Sequence, residues 1–325
     1  MVLNNKIIFC DWQDTLNHYN FPQDYLSKIS NICKDNDHKL ILSHELNDDY
    51  LNSEIVAYIG NRPHNKLLNV KSLKWIHFGS VGVDKINLKK ASQENVLITN
   101  AKGIFDKSVS HMAFCKIFEL LNANLDKEAD FNRESWEEKS IRLDDCEVNI
   151  LGYGGIAKSL VKLLIPVGCK INVFTKNLDK HSHSELFSLY GYSSIKNISK
   201  NQQNSILINL LPLLDDTHSF INKKIIYYFD NIISYLNLGR LDTENHNDII
   251  NALNDKKIKK AYWDVIRDGN QVKELRNIFD NRVLFTPHIS SFLYNHWNQT
   301  FELIEFNLDK FFNNKLTEMK NIKQF

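Results

Sequence analysis

A glycine-rich turn in the middle of the chain has the residue types and spacing that most directly indicate chemistry. Gly152, Gly154 and Ala157 form a G-x-G-x-x-A pattern between an apolar run at 148–151 and a run with apolar residues at helical spacing. In such a unit the first glycine permits the sharp turn and the second lets the backbone approach phosphate groups, while the N–H groups of the following helix face the anion. The turn predicts a dinucleotide pyrophosphate site, with a plain βαβ turn as the alternative. The predicted cofactor contacts here are Gly152, Gly154, Gly155 and Ile156.

The end of the second strand of this unit bears on which dinucleotide is bound. In NAD sites an Asp or Glu usually lies there, about twenty residues past the glycines, and accepts hydrogen bonds from the ribose. This chain has Thr175, Lys176 and Asn177 instead. A carboxylate would repel a 2′-phosphate, whereas a hydroxyl, an ammonium and an amide can donate to it. The sequence therefore predicts NADP, through Thr175 and Lys176, with NAD as the alternative if Lys176 is a solvated surface residue.

Length and charge narrow the class of ligand. The chain has 325 residues, enough for two domains that each bury a core. Lys and Arg number 40 against 39 Asp and Glu, so no net field would draw the protein to nucleic acid or an anionic membrane. No apolar run approaches the length of a membrane span. We therefore expect a small-molecule ligand, and neither a nucleic-acid nor a membrane partner.

The cysteines indicate a reducing compartment. The five cysteines are scattered and include no C-x-x-C pair, so they predict neither a disulfide framework nor a zinc site. The N-terminal residues run into a short strand and lack the charged start and long apolar core of a signal peptide. We expect buried thiols in a cytoplasmic protein that holds no metal.

Strands alternate with helices along the chain, which is the pattern of parallel sheets. Predicted strands lie at 6–10, 39–43, 55–59, 73–78, 96–99, 148–151, 171–174, 205–211, 232–236, 260–265 and 282–285, and predicted helices at 25–33, 108–125, 156–164, 248–253 and 297–312. The strand at 73–78 runs into a glycine-containing loop, 79–84, that belongs to a separate sheet from the glycine-rich turn. Ligands bind at the carboxyl ends of strands in open parallel sheets, so the N–H groups of this loop are suited to hold a carboxylate. A simple turn explains the loop almost as well.

Taken together, these strand ends resemble the D-isomer-specific 2-hydroxyacid dehydrogenase family. The matching segments follow the family's order along most of the chain: Gly79-Ser-Val-Gly-Val-Asp84, Thr99-Asn100 to Gly103, Gly152-Tyr-Gly-Gly-Ile-Ala157, Asn209-Leu-Leu-Pro212, Asn237-Leu-Gly-Arg240, Trp263-Asp264-Val265 and Thr286-Pro287-His288. The resemblance implies an α/β fold with two parallel-sheet domains. A Rossmann dinucleotide-binding domain, residues 100–289, would be inserted into a flavodoxin-like substrate domain, residues 1–99 and 290–325. It also implies a homodimer, and the polar segment 126–145 around Trp136 is a candidate arm.

The resemblance also implies roles for the residues at the strand ends. Arg240 would bind the α-carboxylate and carbonyl oxygen of the substrate, and the backbone amides around Ser80, Val81 and Gly82 would hold the other side of the carboxylate. His288 would give a proton to the carbonyl oxygen as hydride arrives from the nicotinamide, and take it back in the reverse reaction. These roles predict a reaction between a 2-oxo acid and a 2-hydroxy acid.

One position departs from the family pattern. The family usually places a Glu five residues after Asp264, where it pairs with the catalytic histidine; this chain has Gly269 there and Asp268 one position earlier. Asp268 could replace the Glu, His288 could act without a carboxylate partner, or the site could bind a dinucleotide without turnover. Two further cofactor contacts are implied, Asp264 to the nicotinamide carboxamide and Pro212 beside the dinucleotide.

Three functional hypotheses follow from the resemblance. The first is an NADP-preferring reductase of a small 2-oxo acid, glyoxylate or hydroxypyruvate, with Arg240, His288 and Asp268 as the candidate catalytic residues. The second is a dimeric dinucleotide sensor or scaffold with weakened catalysis, which Gly269 favours. The third, an oxidiser of formate or phosphite, ranks low because Asn270 is out of register with the amide of such relatives.

Overall fold

The computed structural model describes residues 6–11, 22–42, 48–51, 54–61, 63–122, 141–181, 184–198, 204–291 and 296–323. The chain divides into two compact units, one formed by Met1–Phe105 with Leu293–Phe325 and the other by Asp106–Phe292. The predicted boundaries, 99/100 and 289/290, lie slightly N-terminal of these divisions. The predicted arm around Trp136 lies outside the described residues.

The elements alternate as the sequence predicts. The strands are β1 (Lys6–Cys10), β2 (His38–Leu42), β3 (Ile55–Gly60), β4 (Trp75–Phe78), β5 (Leu97–Asn100), β6 (Glu147–Leu151), β7 (Lys170–Thr175), β8 (Ser188–Gly191), β9 (Ser205–Asn209), β10 (Ile232–Asn237), β11 (Ile258–Trp263) and β12 (Val283–Phe285). The helices are α1 (Gln23–Asp35), α2 (Asp48–Leu51), α3 (Leu88–Gln93), α4 (Asp106–Leu121), α5 (Gly155–Leu164), α6 (Ile195–Ile198), α7 (Lys223–Ile226), α8 (His246–Asn254), α9 (Gly269–Phe279) and α10 (His296–Phe312).

The discontinuous unit contains a five-stranded parallel sheet in the order β2-β1-β3-β4-β5. This is the flavodoxin-like doubly wound order. Alternate residues of β1 enter opposite cores because side chains alternate across a strand: Ile8 packs with Ile29 of α1 and Ile304 of α10, and Phe9 packs with Ile76. Burial of both faces explains why the strands of this unit read as short apolar runs.

The continuous unit contains a seven-stranded parallel sheet in the order β12-β11-β10-β9-β6-β7-β8. Counted from its own first strand, β6, this is the Rossmann order, and the chain reverses direction across the sheet between β6 and β9. The predicted fold class, a Rossmann unit inserted into a flavodoxin-like unit, is confirmed. Ligands of such sheets bind outside the carboxyl ends of the strands at this reversal.

The main error of the sequence prediction in this unit is α9. Residues 268–271 read as a loop in the sequence, but Asp268 is the N-cap of a helix that begins at Gly269. Asp-Gly is a dipeptide typical of turns, which hides the start of the helix. Leu275 and Phe279, four residues apart, bury one face of it in the core. This helix fixes the surroundings of the position where the family carries its Glu.

No helix in the described ranges combines the length and apolarity needed to cross a bilayer. No group of three or more His, Cys, Asp or Glu side chains is arranged there to hold a metal ion.

Candidate active site

The predicted site residues of the continuous unit lie along one edge of its sheet. His288 follows β12, Asp264 follows β11, Arg240 follows β10 and Pro212 follows β9. Beyond β9 in the order of the sheet, the glycine-rich turn follows β6 and Lys176 follows β7. Because all the strands are parallel, these residues share the carboxyl edge of the sheet. The strands that Arg240 and His288 follow, β10 and β12, are two strand positions apart, or about 10 Å at the spacing of neighbouring strands.

The turn after β6 has the geometry of an anion site. Gly152 has φ 98°, and a Cβ there would lie 3.0 Å from the carbonyl oxygen of Leu210, so both conformation and space favour glycine. Helix α5 begins at Gly155, and its N-cap, Gly154, supplies no side-chain acceptor. The first N–H groups of an α-helix have no partner within the helix, so those at Gly155 and Ile156 fit a pyrophosphate.

The end of β7 differs from the prediction at Thr175. This residue is 6% exposed and its hydroxyl accepts a hydrogen bond from the Asn177 amide at 3.4 Å. The side chain therefore caps a local turn and does not present a donor to solvent. Lys176 is exposed and forms an ion pair with Asp216, which is also exposed. Pairs of this kind contribute little free energy, so the ammonium can exchange Asp216 for another anion.

Further positive charge surrounds the glycine-rich turn. The ring of Tyr153 lies 4.8 Å from that of His181, and the Lys158 ammonium lies 5.4 Å from the centre of the Tyr153 ring. Desolvation, followed by the charges of Lys158 and Lys180, lowers the pKa of His181. No sequence motif identifies this group of residues, because its members come from the turn, from helix α5 and from the loop after β7.

The loop that carries Arg240 depends on a close backbone approach. A Cβ at Gly239 would lie 2.6 Å from the carbonyl oxygen of Leu211, so glycine is required before the arginine. The Arg240 guanidinium donates from Nη1 to the Gly239 carbonyl at 2.9 Å. The Arg240 carbonyl accepts from the Thr243 hydroxyl at 2.6 Å. The half-buried guanidinium is thus attached to a loop with a fixed backbone.

The loop that carries His288 is held by Asp264. His288 has φ 56°, its amide donates to the Asp264 carbonyl at 2.8 Å, and its side chain is exposed. The Asp264 carboxylate accepts from the Thr286 hydroxyl at 2.6 Å, the Ile289 amide at 3.0 Å, and both the amide and the hydroxyl of Ser290. A positive φ is uncommon outside glycine, although histidine adopts it more often than most residues, and this set of bonds maintains it.

The structure shows the contacts of two predicted site residues. Asp264, predicted to bind the nicotinamide carboxamide, is 1% exposed and its carboxylate serves the 286–290 loop. Asp268, one of the three alternatives at the position of the missing Glu, accepts through its Oδ1 from the Asn270 and Gln271 amides at 2.8 and 3.0 Å. A helix N-cap has this geometry because the first amides of the helix need acceptors.

Comparison with known proteins identifies the family. The profile of the D-isomer-specific 2-hydroxyacid dehydrogenase NAD-binding domain matches residues 110–290, more than half of the chain. The chain belongs to this family. It is accordingly an oxidoreductase that works with a nicotinamide dinucleotide, and the family acts on 2-hydroxy acids. The resemblance inferred from the strand ends is confirmed.

Individual members of the dehydrogenase family resemble the chain over most of its length. Glyoxylate/hydroxypyruvate reductase A of Arabidopsis thaliana is 23% identical over 81% of this chain and 84% of its own. Glyoxylate reductase of Thermococcus litoralis is 23% identical over 79% and 80%. The NADPH-dependent glyoxylate/hydroxypyruvate reductase of Sinorhizobium meliloti, solved with NADP and sulfate, has a TM-score of 0.78 at 17% identity and covers 98% of both chains. At that identity the structural match establishes the fold.

The dehydrogenase substrate loop predicted at Ser80, Val81 and Gly82 lies in the discontinuous unit. The Ser80 hydroxyl donates to the Gly82 carbonyl at 2.9 Å, and Asn100 Nδ2 donates to the Val81 carbonyl at 2.6 Å. The Ala101 amide donates to the Ser80 carbonyl at 3.1 Å. The loop is therefore closed through its carbonyl groups, which leaves backbone N–H groups as the groups it can offer to an anion.

Pro212 lies on the exposed start of the segment after β9. Its carbonyl accepts from the Thr217 hydroxyl at 2.6 Å, and the same hydroxyl accepts from the Leu214 amide at 2.8 Å. Residues 212–217 therefore form one closed turn, and the Asp216 that pairs with Lys176 lies on it. The turn thus joins Pro212, a predicted cofactor contact, to the residue that pairs with Lys176 at the end of β7.

Two acidic residues near this edge were missed in the sequence. The Asp106 carboxylate lies against the Cα of Gly155, so close that a Cβ on residue 155 would overlap it. Glu244 is buried beneath the Arg240 loop and accepts four hydrogen bonds. Neither residue lies in a glycine turn or at a strand end, so motif spacing could not identify them. The sequence gives only a weak indication of Glu244, which is an acidic residue between a strand and an amphipathic helix.

Proposed function

We propose that this dehydrogenase reduces a small 2-oxo acid such as glyoxylate or hydroxypyruvate, with NADPH as its preferred cofactor. The observation that carries the proposal is the shared carboxyl edge, where Arg240 and His288 follow strands separated only by β11. A guanidinium and an imidazole that follow β10 and β12 are suited to bind one keto acid between them.

Each residue contributes a distinct part of the chemistry. When bound, the reduced nicotinamide supplies the hydride. Arg240 binds the α-carboxylate and polarises the keto oxygen with its fork of donors. His288 donates a proton to that oxygen, so the keto group becomes a hydroxyl. The amides around Val81 and Gly82 remain a predicted second contact for the carboxylate.

The preference for NADPH is supported by the basic residues beside the cofactor turn. The Lys176 ammonium is exposed, and Lys158 and Lys180 add positive charge nearby. Asp216, which pairs with Lys176, can be displaced because both side chains are solvated. Thr175 is not included, since its hydroxyl caps the local turn.

The reaction is tested by steady-state kinetics with NADPH, NADH and a panel of 2-oxo acids. We expect NADPH consumption with glyoxylate or hydroxypyruvate. His288→Asn should lower kcat by ~100-fold or more, within the range of general acid catalysis, with the NADPH dissociation constant unchanged. Absence of turnover with every 2-oxo acid would disprove the proposed reaction. Full activity of the His288→Asn variant would disprove the assigned proton donor alone.

The cofactor preference has its own test. Lys176→Ala should lower kcat/KM for NADPH by about tenfold, because a charge-assisted hydrogen bond is lost, and leave kcat/KM for NADH unchanged. Lys170 is the matched control, since it is an exposed lysine at the opposite end of β7 that pairs with Glu147. Lys170→Ala should change neither value. Equal effects of Lys176→Ala on NADPH and NADH would contradict a 2′-phosphate contact.

A second function is favoured by a specific observation at the acid site. Gly269 stands in place of the usual Glu, and the carboxylates of Asp264 and Asp268 serve the 286–290 loop and the α9 cap. A protein without that Glu could act as a dinucleotide-dependent sensor or scaffold. Tight NADPH binding that changes the sedimentation coefficient, without turnover of any 2-oxo acid, would select this function over the reductase.

We further propose that the protein is a homodimer of the cytoplasm. The family resemblance motivates the dimer, and sedimentation equilibrium of the purified protein tests it. The five cysteines are free thiols, four of them buried, which suits a reducing compartment. Localisation of a fluorescent fusion to another compartment would contradict the cytoplasmic proposal.

A further inference from the structure

A buried carboxylate lies beneath the loop that carries Arg240. The Glu244 side chain is 0% exposed and has a hydrogen-bond donor for each of its lone-pair directions. Oε2 accepts from the Tyr235 hydroxyl at 2.5 Å and Asn237 Nδ2 at 2.8 Å. Oε1 accepts from His246 Nδ1 at 2.7 Å and Trp263 Nε1 at 2.9 Å. We refer to these five residues as the Glu244 cluster.

The cluster joins three elements at the end of the carboxyl edge that carries Arg240 and His288, which we call the chemical end. The opposite end, with the glycine-rich turn and Lys176, is called the cofactor end. Tyr235 and Asn237 belong to β10, Trp263 ends β11 and His246 begins α8. Burial and the neighbouring Glu244 carboxylate raise the pKa of Tyr235 well above its usual value, so its hydroxyl stays protonated and donates. A buried carboxylate is costly unless donors compensate it, and here four donors do so.

The cluster closes the Arg240 loop at both ends. Asn237, just before the loop, donates to Glu244 and, at 3.5 Å, to the Arg240 carbonyl, while its Oδ1 accepts from the Gly239 amide at 3.0 Å. Glu244, just after the loop, donates its own amide to the Leu241 carbonyl at 3.0 Å. The span that presents the guanidinium therefore begins and ends on one pair of side chains.

The cluster also reaches the other loops of the edge. Trp263 binds Glu244 through its indole, and the next residue, Asp264, holds the His288 loop. His246 Nδ1 faces the Glu244 carboxylate and so carries a proton, which leaves Nε2 as the acceptor for Gln271 Nε2 at 2.8 Å. Gln271 Oε1 accepts from the Arg267 amide at 3.1 Å. One chain of hydrogen bonds thus runs from the Arg240 loop to the turn before α9.

We propose that Glu244 is a positioning residue for the reaction: its buried charge, through Asn237 and His246, holds the Arg240 loop where the guanidinium receives the carboxylate of the substrate. The inference rests on the proposed role of Arg240. It adds a residue that contacts neither substrate nor cofactor yet sets the affinity for the 2-oxo acid. The dinucleotide end of the edge lies beyond its reach, so cofactor affinity should not depend on it.

The first experiment compares Glu244→Gln with Glu274→Gln, kept at matched protein concentration. Glu274 is an exposed glutamate of α9 that lines the same surface cavity as His246 and has the same formal charge. We expect Glu244→Gln to raise KM for the 2-oxo acid by at least ~10-fold, since small displacements of a binding group have effects of this size. The NADPH dissociation constant should change less than about twofold. Glu274→Gln should leave KM and kcat at the wild-type values.

The second experiment uses the cavity itself. His246 has an 18% exposed side chain and lines a cavity of about 530 Å³ that is open to solvent, so a small molecule can reach the space left by its truncation. His246→Ala should raise KM as Glu244→Gln does, and added imidazole should restore it, because imidazole can donate to Glu244 and accept from Gln271. Added 1-methylimidazole, which lacks the N–H, should not restore it. This variant removes a partly exposed side chain and keeps the test valid if Glu244→Gln fails to fold.

The outcomes separate the inference from the proposed function. If wild-type protein reduces 2-oxo acids but folded Glu244→Gln keeps its KM, and imidazole does not rescue His246→Ala, the positioning role is wrong and the reductase stands. If KM and the NADPH dissociation constant rise together, the cluster stabilises the whole unit and the specific role is wrong. If wild-type protein has no turnover with any 2-oxo acid, the proposed function fails and this inference fails with it.

Discussion

The two ends of the carboxyl edge in the continuous unit are built by different means. At the cofactor end, the proposed site is formed by backbone conformation: Gly152 has a positive φ, and α5 presents its first amides without a side-chain cap. At the chemical end, Arg240 and His288 lie on loops held by two buried carboxylates, Glu244 and Asp264. The cofactor end therefore depends on a backbone conformation that glycine adopts most readily. The chemical end depends instead on the hydrogen-bond donors that compensate the Glu244 and Asp264 carboxylates.

The largest effect is expected from a change that removes a carboxylate at the chemical end. Asp264→Asn replaces an acceptor of several bonds by an amide whose NH₂ faces the donors of Ser290 or Ile289. We expect kcat/KM to fall by ~100-fold, because the His288 loop loses its position. The free energy of unfolding, measured in urea, should fall by about 1–3 kcal/mol, the cost of unsatisfied buried donors.

Asp255 at the end of α8 is exposed and provides the matched control. Asp255→Asn should change neither quantity. If Asp264→Asn lost stability but retained wild-type kcat/KM, the position of the His288 loop would not depend on the buried carboxylate. The claim that buried side chains hold the loops of the chemical end would then be wrong for the His288 loop.

A smaller effect is expected from added bulk at the cofactor end. Gly152→Ala places a Cβ at 3.0 Å from the Leu210 carbonyl oxygen in a backbone with φ 98°. We expect the NADPH dissociation constant to rise by ~10-fold, because the turn must shift from the phosphates. The left-handed conformation should also lower the free energy of unfolding by about 1–2 kcal/mol.

Gly168 separates backbone strain from the local effect on the cofactor turn. It has φ 84° with no atom within 4 Å of an added Cβ, and it lies between α5 and β7. Gly168→Ala should lower stability by a similar amount and leave the NADPH dissociation constant unchanged. Equal losses of NADPH affinity in both variants would show that stability, and not the shape of the turn, controls binding.

The same contrast explains which features could be predicted from the sequence. The strand β6, the helix α5 and the turn between them were predicted to within a residue at each end, because glycine positions and apolar periodicity are local signals. Helix α9 was missed, because Asp268 and Gly269 read as a turn, and with it the cap role of Asp268. Glu244 was missed because its donors come from β10, β11 and α8, and no spacing rule joins them.

A third test restores the family's acid at the chemical end. Gly269 has no atom within 4 Å of an added Cβ and lies in the first turn of α9, where a carboxylate is favourable. A carboxylate beside an imidazole stabilises its charged form and raises its pKa. Reduction needs the protonated His288, so Gly269→Glu should move the alkaline limb of the kcat/KM profile up by about one pH unit. Gly269→Gln, which adds the same bulk without charge, should not move it.

Coincident pH profiles of the Glu and Gln variants would show that a carboxylate on residue 269 does not reach His288. Faster turnover of the Glu variant at high pH would instead show that the natural chain lacks only this group. The sensor function would gain support if Gly269→Glu converted a protein with no measurable turnover into an active reductase.

The smallest effect is expected where a carboxylate intrudes on the backbone-built end. Asp106, in the first turn of α4, lies against Gly155, whose amide belongs to the proposed anion site at the start of α5. Its negative charge opposes a pyrophosphate at this position, so Asp106→Asn should tighten NADPH binding about three- to fivefold, the size of one solvated charge contact. The gain should shrink as salt is raised, because salt screens the repulsion. A fluorescence titration with NADPH at low and high ionic strength measures both.

Glu119, near the C-terminal end of the same helix and paired with Lys116, is the control for a general change of charge. Glu119→Gln should leave NADPH affinity unchanged at either ionic strength. If Asp106→Asn weakened binding instead, the carboxylate would be part of the support for the start of α5. The cofactor end would then depend on a side-chain acceptor as the chemical end does, and the two ends would differ in degree and not in kind.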